Sequence, residues 1–221
     1  MIVRAASLRK LLELFSADDA LRVSLLRRDI RDSISRSRRE GGGGDFYTPF
    51  WADAKAHVRG ERELISATDV RIAANHRRRK LYPQLRDGFL QLMSDSRRLR
   101  NEPYTSLPSG PRGSFGIEGT QGIITVHDTL HIRINGDTDR IIYPYFPARP
   151  PLKPESARLG RWAMMQALHP RSVEEMRLID IIRAQTFSFR NADLSGNESE
   201  LFSAQYRALC EEWHRYRAEY D

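Results

Sequence analysis

The sequence has little cysteine and no long apolar run. Cys210 is the single cysteine among 221 residues, which excludes an internal disulfide framework and zinc sites built from several cysteines. The longest apolar run covers four residues, 162–165, whereas a membrane-spanning helix needs roughly 18. Arg4 puts a charge where a signal peptide would have its apolar stretch. We therefore expect a soluble, cytoplasmic protein without a membrane partner.

Lysine is also scarce, because only four of the 36 basic residues are lysines and the other 32 are arginines. The charges are unevenly distributed. Residues 1–100 contain 22 basic and 13 acidic residues, whereas residues 101–221 contain 14 and 16. The planar guanidinium group suits phosphate and carboxylate recognition better than an ammonium group does. All the net positive charge therefore lies in the first hundred residues. We expect an acidic partner to bind to this part of the chain.

Apolar residues at helical spacing dominate this first part. Residues 5–39 follow the pattern and are predicted to be helical. Four glycines at 41–44 end the segment, because they bury nothing and maximise backbone freedom. Thr68 is the predicted N-cap of a further helix that runs through Lys80. Pro83 divides this helix from the apolar helical face that follows. The pattern predicts a basic helical region.

The pattern changes after a segment that is rich in proline and glycine. Residues 101–114 have the composition of a linker. Alternating apolar residues then predict three short strands in an antiparallel meander, and the pair Asn135-Gly136 is typical of a hairpin turn. The predicted strands cover residues 123–126, 130–134 and 140–146.

The rest of the chain combines two predicted helices with one predicted strand. Pro154 is expected to begin the first helix, and residues 178–187 are expected to form the strand. Asn197 and Glu200 resemble a capping pair for a last helix with a wide aromatic face. We predict an α+β fold, with a small antiparallel β-meander packed by these two helices. The predicted parts are a basic helical region (1–100), a Pro/Gly linker (101–114) and an α+β domain (115–221).

Clustered arginines on the predicted helices suggest binding to a polyanion. Guanidinium groups that neutralise phosphates supply most of the sequence-independent affinity for nucleic acid. The sequence has no zinc-finger spacing and no clear helix-turn-helix, so it indicates no base readout. The same side chains would also suit an acidic protein partner or simply face solvent, and the oligomeric state stays open. The residues predicted to contact phosphates are Arg27, Arg28, Arg31, Arg77, Arg78 and Arg79.

Two histidines four residues apart, His127 and His131, are weak candidates for metal ligands. If both lay in one continuous strand, their side chains would face the same side. Zinc requires three or four converging ligands, and two histidines supply at most half of such a set. We therefore interpret them as polar residues of a turn and strand surface, and we predict no cofactor.

The predicted order of three antiparallel strands, a helix, a strand and a helix is loosely similar to the core of restriction-like and RecB-like nucleases. Such enzymes hold Mg²⁺ with an acid and an acid-x-lysine pair on adjacent strands. Tyrosine and proline stand in the corresponding third strand here. Glu118 and Asp180 remain as weak catalytic candidates, each without a lysine. Asp180 interrupts an apolar strand, where Arg183 or Arg177 would be the usual partner of its charge.

The glycine-rich segment 109–116 is the last candidate, for a phosphate-binding loop. It lacks the Gly-Lys-Ser/Thr ending of such loops and leads into a strand, so we interpret it as linker. The function that we predict is that of a non-catalytic accessory or adaptor protein whose arginine-rich helices bind the nucleic-acid backbone. The alternatives are a protein–protein interaction subunit that binds an acidic partner and, third, a degenerate or active nuclease-like protein.

Overall fold

The structure is a computed structural model that describes residues 2–37, 46–100 and 103–220, with the side chains of all of these except 36, 37 and 96–100. Within these ranges, none of the helices has both the length and the apolar character that a membrane crossing needs. The helices are α1 (Leu8–Ser16), α2 (Asp19–Ser37), α3 (Thr48–Val58), α4 (Leu64–Ala74), α5 (Tyr82–Arg100), α6 (Pro154–Ala167) and α7 (Glu198–Arg217), with short 3₁₀ helices at His76–Lys80, Val173–Glu175 and Ala218–Tyr220.

The strands form two sheets. They are β1 (Ala5–Ser7), β2 (Tyr104–Ser106), β3 (Gly113–Gly116), β4 (Ile123–Val126), β5 (Leu130–Ile134), β6 (Thr138–Tyr145), β7 (Met176–Asp180) and β8 (Gln185–Phe187). In the smaller sheet β4 lies in the centre, parallel to β1 and antiparallel to β3. The larger sheet has the order β2-β5-β6-β7-β8, in which β6 and β7 are parallel and the other pairs are antiparallel.

The α+β class with antiparallel strands is confirmed, and so is the predicted hairpin. Asn135 and Gly136 join β5 to β6 with φ angles of 53° and 82°. Two successive positive φ values are what a tight hairpin turn of this kind requires, and Asn-Gly tolerates them best. The local sequence therefore determines both the place and the chemistry of this turn.

Three details of the predicted strands are wrong. The meander is interrupted, because β4 and β5 belong to different sheets and do not pair. Residues 5–7 form β1 instead of helix, since their backbone pairs with β4. The single strand predicted at 178–187 is two strands, β7 and β8, joined by a turn in which Ala184 has a φ of 48°.

The larger sheet lies between two helical layers. Ile141 and Tyr143 of β6 point into a cluster with α1, α2, α6 and α7, which we call the first layer. Ile142 of β6 and Ile179 of β7 point the other way, into a cluster with α3, α4 and α5, the second layer. This alternation follows from the two-residue period of a strand.

Contacts cross the boundary that the sequence predicts near residues 101–114. β1 pairs with β4, α1 packs against α6, and α2 packs against α7. The predicted linker itself contains β2, which pairs with β5. The apolar residues of the first two helices are therefore buried by elements that lie far along the chain.

The last helix buries the aromatic face that the sequence predicts. Phe202, Tyr206 and Trp213 are buried in the first layer. The capping pair predicted at its N-terminus is not formed, because the Asn197 side chain makes no cap bond. The carboxylate of Glu198 instead accepts hydrogen bonds from the backbone N–H groups of residues 195 and 196, at 2.7 and 3.0 Å.

Candidate functional site

The arginines predicted on α2 are mostly paired with carboxylates. Arg27 donates from Nη2 to Glu219 at 2.9 Å, and its guanidinium lies 5.3 Å from the centre of the Tyr216 ring. Arg28 lies 3.5 Å from Glu13. Arg31 is exposed and has no ion pair with any residue whose side chain the structure describes. On α2, one of the three predicted phosphate contacts is therefore left with its charge unshared.

The other predicted arginines lie in the 3₁₀ helix His76–Lys80, which we call the basic 3₁₀ helix. Asn75 ends α4 in an extended conformation, and its side-chain oxygen accepts a hydrogen bond from the N–H of Arg77 at 3.1 Å. Arg77 and Arg79 are exposed. Arg78 is half-buried, donates to the carbonyl of residue 71 at 3.2 Å and lies 5.2 Å from the Tyr82 ring centre.

No carboxylate pairs with this helix in the parts of the chain that the structure describes. Two side chains of the helix instead contact each other, because Arg79 Nη1 lies 3.3 Å from His76 Nε2. Four consecutive cations at 77–80, three of them exposed, therefore lie next to His76 without local compensation.

The two groups of predicted arginines do not meet. α2 packs against α7 in the first layer, whereas the basic 3₁₀ helix packs against α4 and α5 of the second layer. The larger sheet lies between the two layers, so the groups belong to separate surfaces.

Asp180 has a structural partner in the position that the sequence suggests. Its side chain is fully buried, and Arg183 Nη1 donates to it at 3.0 Å. The N–H of Leu152 donates to the same carboxylate at 3.1 Å, which ties the chain before α6 to the end of β7. Arg183 is thus confirmed as the partner of the Asp180 charge. Glu118 is exposed in the turn between β3 and β4, on the smaller sheet.

The two candidate histidines lie in different surroundings. His131 is buried, and its Nε2 lies 3.1 Å from Asp139 Oδ2, while Arg133 donates to the same carboxylate at 2.7 Å. The hydrogen bond from Arg133, helped by His131, holds the pKa of Asp139 well below its usual range. His127 is exposed where the chain passes from one sheet to the other. Among the described residues, no three His, Cys, Asp or Glu side chains converge on a common point.

A basic groove that the sequence analysis does not identify lies between α3, the loops 107–112 and 127–129, and the start of β5. It has a volume of about 680 Å³ and continues into a smaller pocket of about 110 Å³ beside Arg9 and Tyr143. The polar side chains that line the larger part are Lys55, Arg59, Ser109, Arg112, His127, Asp128, Thr129 and His131.

Lys55 is the cation held most closely in this groove. It projects from α3, its side chain is 24% exposed, and its Nζ lies 3.9 Å from Asp128 Oδ1. Burial lowers the pKa of Lys55, and the nearby Arg59 lowers it further, while Asp128 only partly opposes them. Arg59 itself donates to Glu61 at 2.6 and 2.8 Å. The Lys55 ammonium is therefore half-buried with incomplete compensation.

The loops of the groove are fixed to one another and to α3. Thr129 Oγ1 donates to the carbonyl of residue 111 at 2.7 Å, and Trp51 Nε1 donates to the carbonyl of Asp128. Gly110 packs directly against the Thr129 backbone, so closely that a Cβ atom at position 110 would overlap it. Asp128 has a φ of 59°, a conformation that aspartate tolerates better than most residues. The groove is therefore preformed.

Sequence reasoning misses the groove because its cations come from separate segments. Lys55 lies on α3 and Arg112 in the segment that is interpreted as linker. The glycine-rich segment 109–116 is the one local signal for it, but the sequence analysis interprets that segment as linker because it leads into a strand. Comparisons of this chain with protein-family models, with curated proteins and with solved structures found no match.

Proposed function

We propose that this protein is a non-catalytic accessory protein that binds the nucleic-acid backbone through the basic 3₁₀ helix. The observation that carries the proposal is the row of four cations at 77–80, next to His76, without a paired carboxylate in the described structure. Exposed guanidinium groups without protein partners can pair with phosphates at little cost, and each contact releases counterions from the nucleic acid. Because the contacts are made to the backbone, we expect weak dependence on base sequence.

The arrangement of the carboxylates supports a binding function more than a nuclease function. Asp180, the better of the two catalytic candidates, is fully buried and already bonded to Arg183 and to a backbone N–H. A metal ion at this carboxylate would have to displace both partners. The position is therefore suited to holding β7 in place.

Salt dependence tests the proposal. We expect binding to a labelled 20-base-pair DNA duplex at about 50 mM salt, with a log-log slope of about −0.9 for each phosphate contacted. Changing Arg77→Gln and Arg79→Gln together should weaken binding and reduce the slope by roughly one unit for each arginine. Fluorescence anisotropy at several salt concentrations measures both quantities, and a single-stranded oligonucleotide tested in parallel shows which form is preferred.

A matched control separates local contacts from net charge. The pair Arg22→Gln and Arg133→Gln removes the same two charges, but both of these arginines are already bonded to carboxylates. We expect this pair to leave the slope nearly unchanged. An equal loss with both pairs, or no binding of either nucleic acid at low salt, contradicts the proposal; the second result would favour the acidic protein partner that the sequence also suggests.

A further inference from the structure

We propose that the basic groove is a separate phosphate-binding site for a ligand of about nucleotide size, with Lys55 and Arg112 as its cationic contacts. The inference goes beyond the proposed function, because the groove shares no residue with the basic 3₁₀ helix. It rests on the charge of the groove, its shape and the rigidity of its walls.

The charge of the groove favours an anion. Lys55, Arg59 and Arg112 line it; Arg59 is paired with Glu61, and Asp128 is the one carboxylate of the lining. The Nζ of Lys55 lies 3.9 Å from that carboxylate, which is too far for a hydrogen bond, so its donors are unused by Asp128. Arg112 is exposed and forms no ion pair with the side chains that the structure describes. An oxyanion between Lys55 and Arg112 would therefore satisfy donors that the protein leaves open.

The shape and rigidity of the groove favour a ligand larger than a simple ion. Its volume of about 680 Å³ is within the range of about 300–1,000 Å³ that is usual for pockets that hold small molecules. The contact of Gly110 with Thr129 and the bond from Trp51 to residue 128 hold the two loops before a ligand arrives. A preformed site loses little entropy on binding. Leu107 and Pro108 add an apolar wall beside the cations.

Phosphate fits this lining better than a carboxylate does. A phosphate monoester carries close to two negative charges and three acceptor oxygens. The two positive charges of Lys55 and Arg112 match that charge, while Ser109 and His127 supply further polar groups along the same groove. The phosphate could be carried by a small nucleotide or by the end of a nucleic-acid strand, and these two sources share the same chemistry at the site.

The test is calorimetric titration of the full chain with inorganic phosphate, with adenosine 5′-monophosphate and with a short oligonucleotide that does or does not carry a 5′-phosphate. We expect Lys55→Met and Arg112→Gln each to weaken binding of the nucleotide by about tenfold or more, because each removes a charged contact. Arg4→Gln is the control, since it removes an exposed cation that lies outside the groove and outside the predicted phosphate contacts. Thermal unfolding without ligand shows that each variant is folded.

The outcomes distinguish the sources and the two proposals. Dependence of oligonucleotide binding on the 5′-phosphate assigns the groove to strand ends, and binding of the mononucleotide alone assigns it to a small ligand. The pair Arg77→Gln and Arg79→Gln should leave phosphate binding unchanged, so either proposal can fail alone. Lack of binding by every probe at millimolar concentration, or an equal loss with Arg4→Gln, overturns the inference.

Discussion

Replacing Asp29 with alanine should lower the free energy of unfolding by about 3–5 kcal/mol, the range for removing one partner of a buried ion pair. Asp29 lies on α2 and is only 2% exposed. Its carboxylate accepts hydrogen bonds from the N–H of Ile2 at 3.3 Å and from Trp213 Nε1 at 3.0 Å, and it forms an ion pair with Lys10. One side chain therefore connects the start of the chain, α1, α2 and α7.

The cost arises because these donors have no replacement. Without the carboxylate, the indole of Trp213 and the N–H of Ile2 stay buried without acceptors, and each unsatisfied group costs about 1–3 kcal/mol. Urea unfolding with an unchanged m value measures the effect. Asp19→Ala on the same helix is the control, because that carboxylate is exposed and pairs only with Arg22 at the surface. We expect it to cost less than about 1 kcal/mol; equal costs would contradict the anchoring role of Asp29.

The contribution of Asp29 should also depend on pH. Burial alone would raise the pKa of Asp29, but Lys10 and the N–H of Ile2 outweigh burial and hold the pKa below its usual value of 3.8. As the pH falls below that value, the unfolded chain takes up the proton before the folded chain does, so the folded state loses stability. The stabilisation is therefore complete above the unfolded pKa and disappears as the pH falls through the folded pKa. The difference between the protein and Asp29→Ala should shrink over this window, and a difference that grows toward acid would contradict the assignment.

Gly88→Ala should destabilise the protein by about 1–3 kcal/mol, although alanine is normally the better helix former by about 1 kcal/mol. Gly88 lies on α5, where the helix contacts the backbone that follows β7. A Cβ atom at this position would lie closer than 3.0 Å to the carbonyl oxygen of Ile181, a distance that real Cβ atoms essentially never show. The helix would have to move away from the sheet, and the apolar contacts of the second layer would loosen.

The matched control for this change is Gly116→Ala on β3. A Cβ atom there would meet nothing within 4 Å, so the expected change in unfolding free energy is within about 1 kcal/mol. Thermal or urea unfolding of both variants measures the difference. Gly88→Ala with unchanged or increased stability would show that α5 is not packed directly on the backbone after β7.

The correct predictions from sequence are those that depend on near neighbours. The β5–β6 hairpin follows from Asn135-Gly136, and the aromatic face of α7 follows from its regular spacing. The Arg183 partner of Asp180 lies only three residues away. Each of these features is determined by a few consecutive residues, so the sequence contains the whole signal.

The features that sequence reasoning misses depend on distant contacts. Residues 5–7 are a strand only because β4 offers them a partner far along the chain. Alternating apolar residues predict both β4 and β5, but nothing local shows that the chain changes sheets between them. The basic groove follows the same rule, since Lys55 and Arg112 line one groove only after α3 has packed beside the loops. The sequence thus shows which residue types could form the candidate sites, but it does not show which of these residues come together in space.

The packing of α1 against α6 and of α2 against α7 has a consequence for synthesis on the ribosome. α1 and α2 emerge early, but their apolar faces are covered by α6 and α7, which are translated much later. At about 5–20 residues per second, roughly 10–40 s separate the completion of α2 from that of α7. During this interval the nascent N-terminal helices expose leucine-rich surfaces of the kind that chaperones recognise, so the growing chain has a longer need for such protection than its size alone suggests.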